Sequence, residues 1–84
     1  SILRDVYLRG IHHPLAQEYC IIAAYNGGAG QLLRSFDSNT KKAVAKINRM
    51  SPAQVYQYII NKHPKLESRN YLKKVIRFKK KYAL

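Results

Sequence analysis

The sequence predicts an all-α fold of five or six short helices, and three observations carry that prediction. Apolar residues recur at three- and four-residue spacing in one segment after another. Helix starts and stops separate the segments: Pro14 and the Ser51-Pro52 pair open helices, while Gly10, Gly27-Gly28 and His63-Pro64 close them. No stretch alternates polar with apolar residues convincingly enough to be a strand. Short helices packed on one another around a single core are what remains.

A first helix is expected over about residues 2 to 9, stopping at Gly10. The second runs from Pro14 to Asn26, and its Tyr19 to Tyr25 stretch is apolar throughout. Seven apolar residues also suit a buried strand, but a proline before and two glycines after favour helix. Past the glycine turn, Gln31 to Phe36 gives a short helix ending in the polar run Asp37-Ser38-Asn39. Thr40 is placed to cap the next, where Ala43, Val44 and Ile47 share a face. Ser51 and Pro52 start a helix whose stripe is Val55, Tyr56, Ile59 and Ile60. The last, about Leu66 to Tyr82, buries Tyr71, Leu72, Val75 and Ile76 by their spacing and turns Lys73, Lys74, Arg77, Lys80 and Lys81 mostly toward water.

An 84-residue chain makes one domain or part of one, with a marginal core, since a chain of this size buries only about 60 to 65% of its unfolded surface. No stretch approaches the roughly 20 apolar residues of a membrane span. Ser1 opens directly into structured-looking sequence, so no signal peptide is expected within it, and any export signal or lipid anchor of a parent protein is expected outside it. Charge is distributed unevenly. The first forty residues balance three arginines against Asp5, Glu18 and Asp37, whereas residues 41 to 84 carry thirteen basic side chains against Glu67 alone. That half should attract polyanions: nucleic acid, anionic lipid head groups, or the acidic stem peptides and teichoic-type polymers of a cell wall.

Most chemistry-bearing residues have an ordinary structural reading. Cys20, the one cysteine, lies in an apolar run as a buried inert thiol. Asp5 and Glu18 fall on or beside helices without an evident partner, Asp37 sits in a polar turn, and Glu67 suits the positive end of the last helix. His12 and His13 are adjacent, point apart on a helix and lack a third ligand, so they are read as loop residues and no metal is expected. Gly27, Gly28 and Gly30 follow a helix rather than a strand and lack the Lys-Ser/Thr ending of a phosphate loop, so no nucleotide cofactor is expected. The run Ala24-Tyr25-Asn26-Gly27-Gly28-Ala29-Gly30 is less easily dismissed. On these residues alone, Asn26-Gly27 reads equally as a helix cap with Tyr25 in the core, or as a phenol and a carboxamide held beside open space.

A second motif, His63-Pro64-Lys65-Leu66-Glu67-Ser68-Arg69-Asn70-Tyr71, follows downstream. With Ala24-Tyr25-Asn26 it resembles the third and fourth motifs of the lytic transglycosylase domain, most of all in the membrane-bound murein-cleaving type C branch. The resemblance runs from about Tyr7 to about Phe78. It implies a lysozyme-like, all-α catalytic domain of which residues 1–84 are the C-terminal part. It also implies cleavage of the β-1,4 bond between N-acetylmuramic acid and N-acetylglucosamine in peptidoglycan. One Glu first donates and then accepts a proton, and the C6 hydroxyl closes a 1,6-anhydro ring, with no metal or cofactor. The family's catalytic Glu lies in a Glu-Ser motif well before Ala-Tyr-Asn, followed by Gly-Leu-Met-Gln, and neither motif occurs here; Glu67-Ser68 belongs to the downstream motif. No catalytic Glu is therefore expected in this segment, which would be inactive alone. Tyr25 and Asn26 match residues lining the sugar cleft, Tyr71 matches the tyrosine whose hydroxyl lies close to the catalytic Glu, and Glu67 and Arg69 match supporting positions. For Glu67 and Arg69 an intrahelical charge arrangement is the preferred role, and for Tyr71 ordinary core packing stays open. The resemblance further implies a periplasmic location, with the parent anchored to the outer membrane.

Two readings compete. A basic helical nucleic-acid-binding domain would account for the cationic half with Tyr56, Tyr58, Tyr71 and Tyr82 interleaved, but it gives the Ala-Tyr-Asn-Gly-Gly turn no role, so nucleic acid is not expected as a partner. A carbohydrate-binding module without catalysis is the other. The expected partners are glycan strands and the N-terminal part of the same domain. A helix apolar on every side from Tyr19 to Tyr25 needs cover all round, so the isolated segment is also expected to form a homodimer.

Overall fold

The computed structural model describes residues 6–82, which form helices joined by short turns and contain no strand. Residues 6–8 are helical and the chain turns at Gly10, whose N–H donates to the Tyr7 carbonyl at 3.1 Å. The rest of the first expected helix lies outside the described residues. Four helices follow: α1 (Pro14–Arg34), α2 (Thr40–Asn48), α3 (Pro52–Lys62) and α4 (Leu66–Tyr82). α1 packs on each of the other three, and α3 also packs on α4.

α1 starts where Pro14 indicates, and His13 is its N-cap, with Nδ1 accepting from the Leu15 N–H at 3.1 Å. The helix does not stop at Asn26. It runs on to Gly28, where φ is +86° and ψ 158°, and then resumes, so two helical segments meet at one glycine. Only glycine adopts this conformation without strain. The second segment ends at Arg34 rather than Phe36, because Ser35 Oγ donates to the Leu32 carbonyl at 2.6 Å and the chain tightens into a turn. The cap of α2 is Asn39, not Thr40: Asn39 Oδ1 accepts from the Lys42 N–H at 3.0 Å. α3 opens with the expected Ser51-Pro52 start, completed by a reciprocal capping box with Gln54.

The core lies around α1. Cys20, Ala23, Ala24 and Leu32 meet Ala43 and Ile47 of α2, Val55 and Ile59 of α3 and Leu72 of α4, all buried. Burial pushes the Cys20 thiol up to about 12, in keeping with an inert role. Within the apolar run, Ile21 and Tyr25 are exposed, so its cover is incomplete. α1 and α4 run antiparallel, with Tyr25 beside Tyr71 at one end and Glu18 paired with Lys79 at the other. Glu18 thus has a partner that the sequence did not suggest.

Candidate functional site

The site is built where the kink of α1 meets the start of α4. Tyr25 lies three residues before the kink of α1 and is 71% exposed, so it is not a core residue. It stacks on half-buried Tyr71, ring centroids 5.4 Å apart at 18°, and neither hydroxyl has a hydrogen-bond partner among the described residues. The two motifs, far apart in sequence, therefore meet as one aromatic wall with two free phenol hydroxyls at its edge. Asn26 is exposed beside it, and its carbonyl accepts from Lys65 Nζ at 3.3 Å, which ties the kink to the approach of α4.

A Cβ on Gly27 would meet the Gln31 carboxamide oxygen of the same helix, with Ser68 Oγ of α4 3.4 Å away. Ser68 is fully buried, and neither its Oγ nor Gln31 Oε1 finds a hydrogen-bond partner among the described residues. Buried polar atoms are usually paired, because an unmade bond costs about 1 to 3 kcal/mol. Sequence reasoning singled out neither residue as functional, although Gly27 signals a close approach and Ser68 lies inside the quoted motif.

His63 anchors the loop before α4. Its Nδ1 accepts from the Lys65 N–H at 3.1 Å, so the ring proton of the neutral form sits on Nε2, which is buried without a partner among the described residues. Burial lowers the His63 pKa, and the nearby Arg69 and Lys65 charges lower it further. Arg69 Nε donates to the His63 carbonyl. Arg69 thus fastens the helix start to the loop and does not pair with Glu67, since residues two apart on a helix do not face each other. Glu67 is exposed in the first turn, where the macrodipole favours it.

The other carboxylates stand apart from this wall. Asp37 Oδ1 accepts from the Asn39 N–H at 2.8 Å in its turn, Glu18 pairs with Lys79, and Asp5 lies outside the described residues. The described residues contain no group of three His, Cys, Asp or Glu side chains arranged to hold a metal. An aromatic wall with phenol and carboxamide groups can bind and orient a polyhydroxylated ligand.

No protein-family model matches the chain. Its sequence is 52% identical over 82 residues to a membrane-bound lytic murein transglycosylase C of Pectobacterium atrosepticum, covering 98% of this chain and 23% of that protein. It is 48% identical over 82 residues to the protein of that name in Actinobacillus pleuropneumoniae (98% and 22%) and 50% identical over 82 residues to the one in Serratia proteamaculans (98% and 23%). The chain shares its descent with a stretch of these transglycosylases and spans less than a quarter of their length. The names of these relatives lend nothing to the nucleic-acid reading.

Proposed function

We propose that this chain works as the C-terminal part of a peptidoglycan lytic transglycosylase catalytic domain. The observation that carries the reading is the stacking of Tyr25 on Tyr71, because it gathers the Ala-Tyr-Asn turn and the Glu-Ser-Arg-x-Tyr helix start into one exposed face. The names of relatives about half identical to it support the same chemistry.

In this reading the face is one wall of a glycan cleft. Tyr25 offers its ring to a sugar face, the Asn26 carboxamide hydrogen-bonds sugar substituents, and the Tyr71 hydroxyl reaches the acid that protonates the leaving oxygen. Glu67 and Arg69 support the helix start that carries Tyr71. The acid itself is a Glu contributed by the length of the relatives that this chain does not span. Protonation breaks the C1–O4 bond, the muramic C6 hydroxyl attacks the anomeric carbon, and its proton returns to the Glu, leaving a 1,6-anhydro end and a free 4-hydroxyl. The buried His63 and Ser68 side chains hold the wall rigid behind the cleft. A periplasmic setting with the parent protein held at the outer membrane fits substrate and relatives alike. Exposed Ile21 is then covered by the rest of the domain, or by a second copy when the chain is alone.

The test is a graft. Residues 7–78 replace the corresponding stretch of the Serratia proteamaculans relative, and purified sacculi are digested with the chimera and with the 84-residue chain alone. Mass spectrometry is expected to find 1,6-anhydro muropeptides from the chimera and none from the isolated chain. A folded chimera that releases none would overturn the reading. Sedimentation of the isolated chain at micromolar concentration tests the second-copy cover, with a dimer expected.

A further inference from the structure

The outer face of α4 carries a feature that glycan cleavage does not use. Phe78 and Tyr82 are one helical turn apart, 53% and 54% exposed, with ring centroids 4.6 Å apart at 45°. Lys74 continues their row one turn earlier, and Arg77 and Lys81 form the row beside it. Lys81 Nζ lies 5.5 Å from the centre of the Tyr82 ring. From Lys73 to Tyr82 α4 has no acidic residue, and of its cations only Lys79 makes a salt bridge among the described residues, with Glu18. Five residues, Lys74, Arg77, Phe78, Lys81 and Tyr82, line a shallow depression of about 200 Å³.

Water is a poor environment for two large exposed rings, and neither neighbouring helix covers them. A small-molecule site is a poor match, since such pockets run from about 300 to 1,000 Å³. The phosphate backbone of a duplex would engage the cations but would leave Phe78 without an apolar partner. A bilayer surface satisfies both groups together: aromatic rings settle at the head-group level, and Lys and Arg stems extend along them to put their charges on lipid phosphates. A convex helix face needs no pocket to do this.

We propose that this face of α4 docks on an anionic phospholipid surface, Phe78 and Tyr82 entering the head-group layer while Lys74, Arg77 and Lys81 meet its phosphates. Charge complementarity fixes the sign of the partner, because a chain of net charge +12 concentrates thirteen of its sixteen basic residues after residue 40. None of these five residues belongs to the Tyr25–Tyr71 wall, so docking stands whether or not the glycan reading does.

The test uses the whole 84-residue chain in co-sedimentation with phosphatidylglycerol-containing vesicles and with pure phosphatidylcholine vesicles, at low and high salt. Binding is expected only to the anionic vesicles, and it weakens as salt screens the cations. The Phe78→Ser/Tyr82→Ser double variant keeps the charge and is expected to bind about tenfold more weakly. Lys74→Gln and Lys81→Gln are each expected to cost about fivefold. The control Lys41→Gln/Lys42→Gln, on the exposed side of α2, is expected to retain binding. Circular dichroism checks that each variant folds, which exposed substitutions should leave intact. Equal binding to neutral vesicles, unchanged binding of the double aromatic variant, or an equal loss in the α2 control would each overturn the proposal. So would binding to duplex DNA that outcompetes the vesicles.

Discussion

The Phe36–Tyr58 and Tyr25–Tyr71 pairs are both near-parallel ring stacks, at 17° and 18°, yet their surroundings differ in almost every respect. Phe36 is buried, and the Tyr58 hydroxyl donates to the Ser35 carbonyl at 2.6 Å and accepts from Lys46 Nζ at 3.3 Å. Lys46 also reaches the Phe36 carbonyl at 3.2 Å. The Tyr58 hydroxyl, Lys46 Nζ and the Ser35 and Phe36 carbonyls are all engaged, and the pair fastens the end of α1 to α2 and α3. Around Tyr25–Tyr71 the opposite holds: the outer ring faces solvent, and among the described residues both hydroxyls are free and Ser68 Oγ, Gln31 Oε1 and His63 Nε2, nearby in sequence or space, have no hydrogen-bond partner. A stack whose hydrogen bonds are complete contributes stability. One whose hydrogen bonds are left open is available to something else.

The largest expected effect breaks the first pair. Phe36→Ala removes a buried ring and should cost about 3 to 5 kcal/mol in urea unfolding, close to the whole stability of a domain this small. Tyr58→Phe keeps the ring but strands the Ser35 carbonyl, and it should cost about 1 to 2 kcal/mol. Tyr25→Ala in the second pair should move stability by no more than about 0.5 kcal/mol. If Tyr25→Ala proved as costly as Phe36→Ala, the two stacks would have the same role and the contrast would fail.

His63 sharpens the contrast through pH. Its folded pKa is lowered below the ordinary 6.5, first by burial, so the unfolded chain takes up a proton that the folded ring refuses. The stabilisation is complete above about pH 6.5 and is lost as pH falls below that value. Urea midpoints should therefore drop between about pH 7 and pH 5, and His63→Asn should flatten that part of the profile. An unchanged slope in the variant would assign the pH dependence to other groups.

The helix starts were legible in the sequence because Pro14 and Ser51-Pro52 have one good reading each. The start of α2 was not, since Ser38, Asn39 and Thr40 are all capping residues and propensity alone cannot choose among neighbours. The kink fell two residues beyond Asn26 because the positive φ belongs to Gly28, whereas the pattern marks only that a glycine nearby will break the helix. Tyr25, Asn26 and Tyr71 were legible as candidates through the motifs that hold them. The Tyr25–Tyr71 stacking, the Glu18–Lys79 pair and the Ser68 Oγ and Gln31 Oε1 atoms left without a partner among the described residues arise from the antiparallel packing of α1 on α4, which no local pattern encodes.

The most direct measurement of the central claim, that the Tyr25–Tyr71 stack serves a glycan cleft rather than the core, is Tyr71→Phe in the chimera, scored for both turnover and melting temperature. The ring stays and only the free hydroxyl goes. Release of 1,6-anhydro muropeptides should fall about a hundredfold, within the range for a lost acid–base partner, while the melting temperature holds within about 2 °C. Full activity, or a lost activity that merely follows lost stability, would return Tyr71 to the core and contradict the claim.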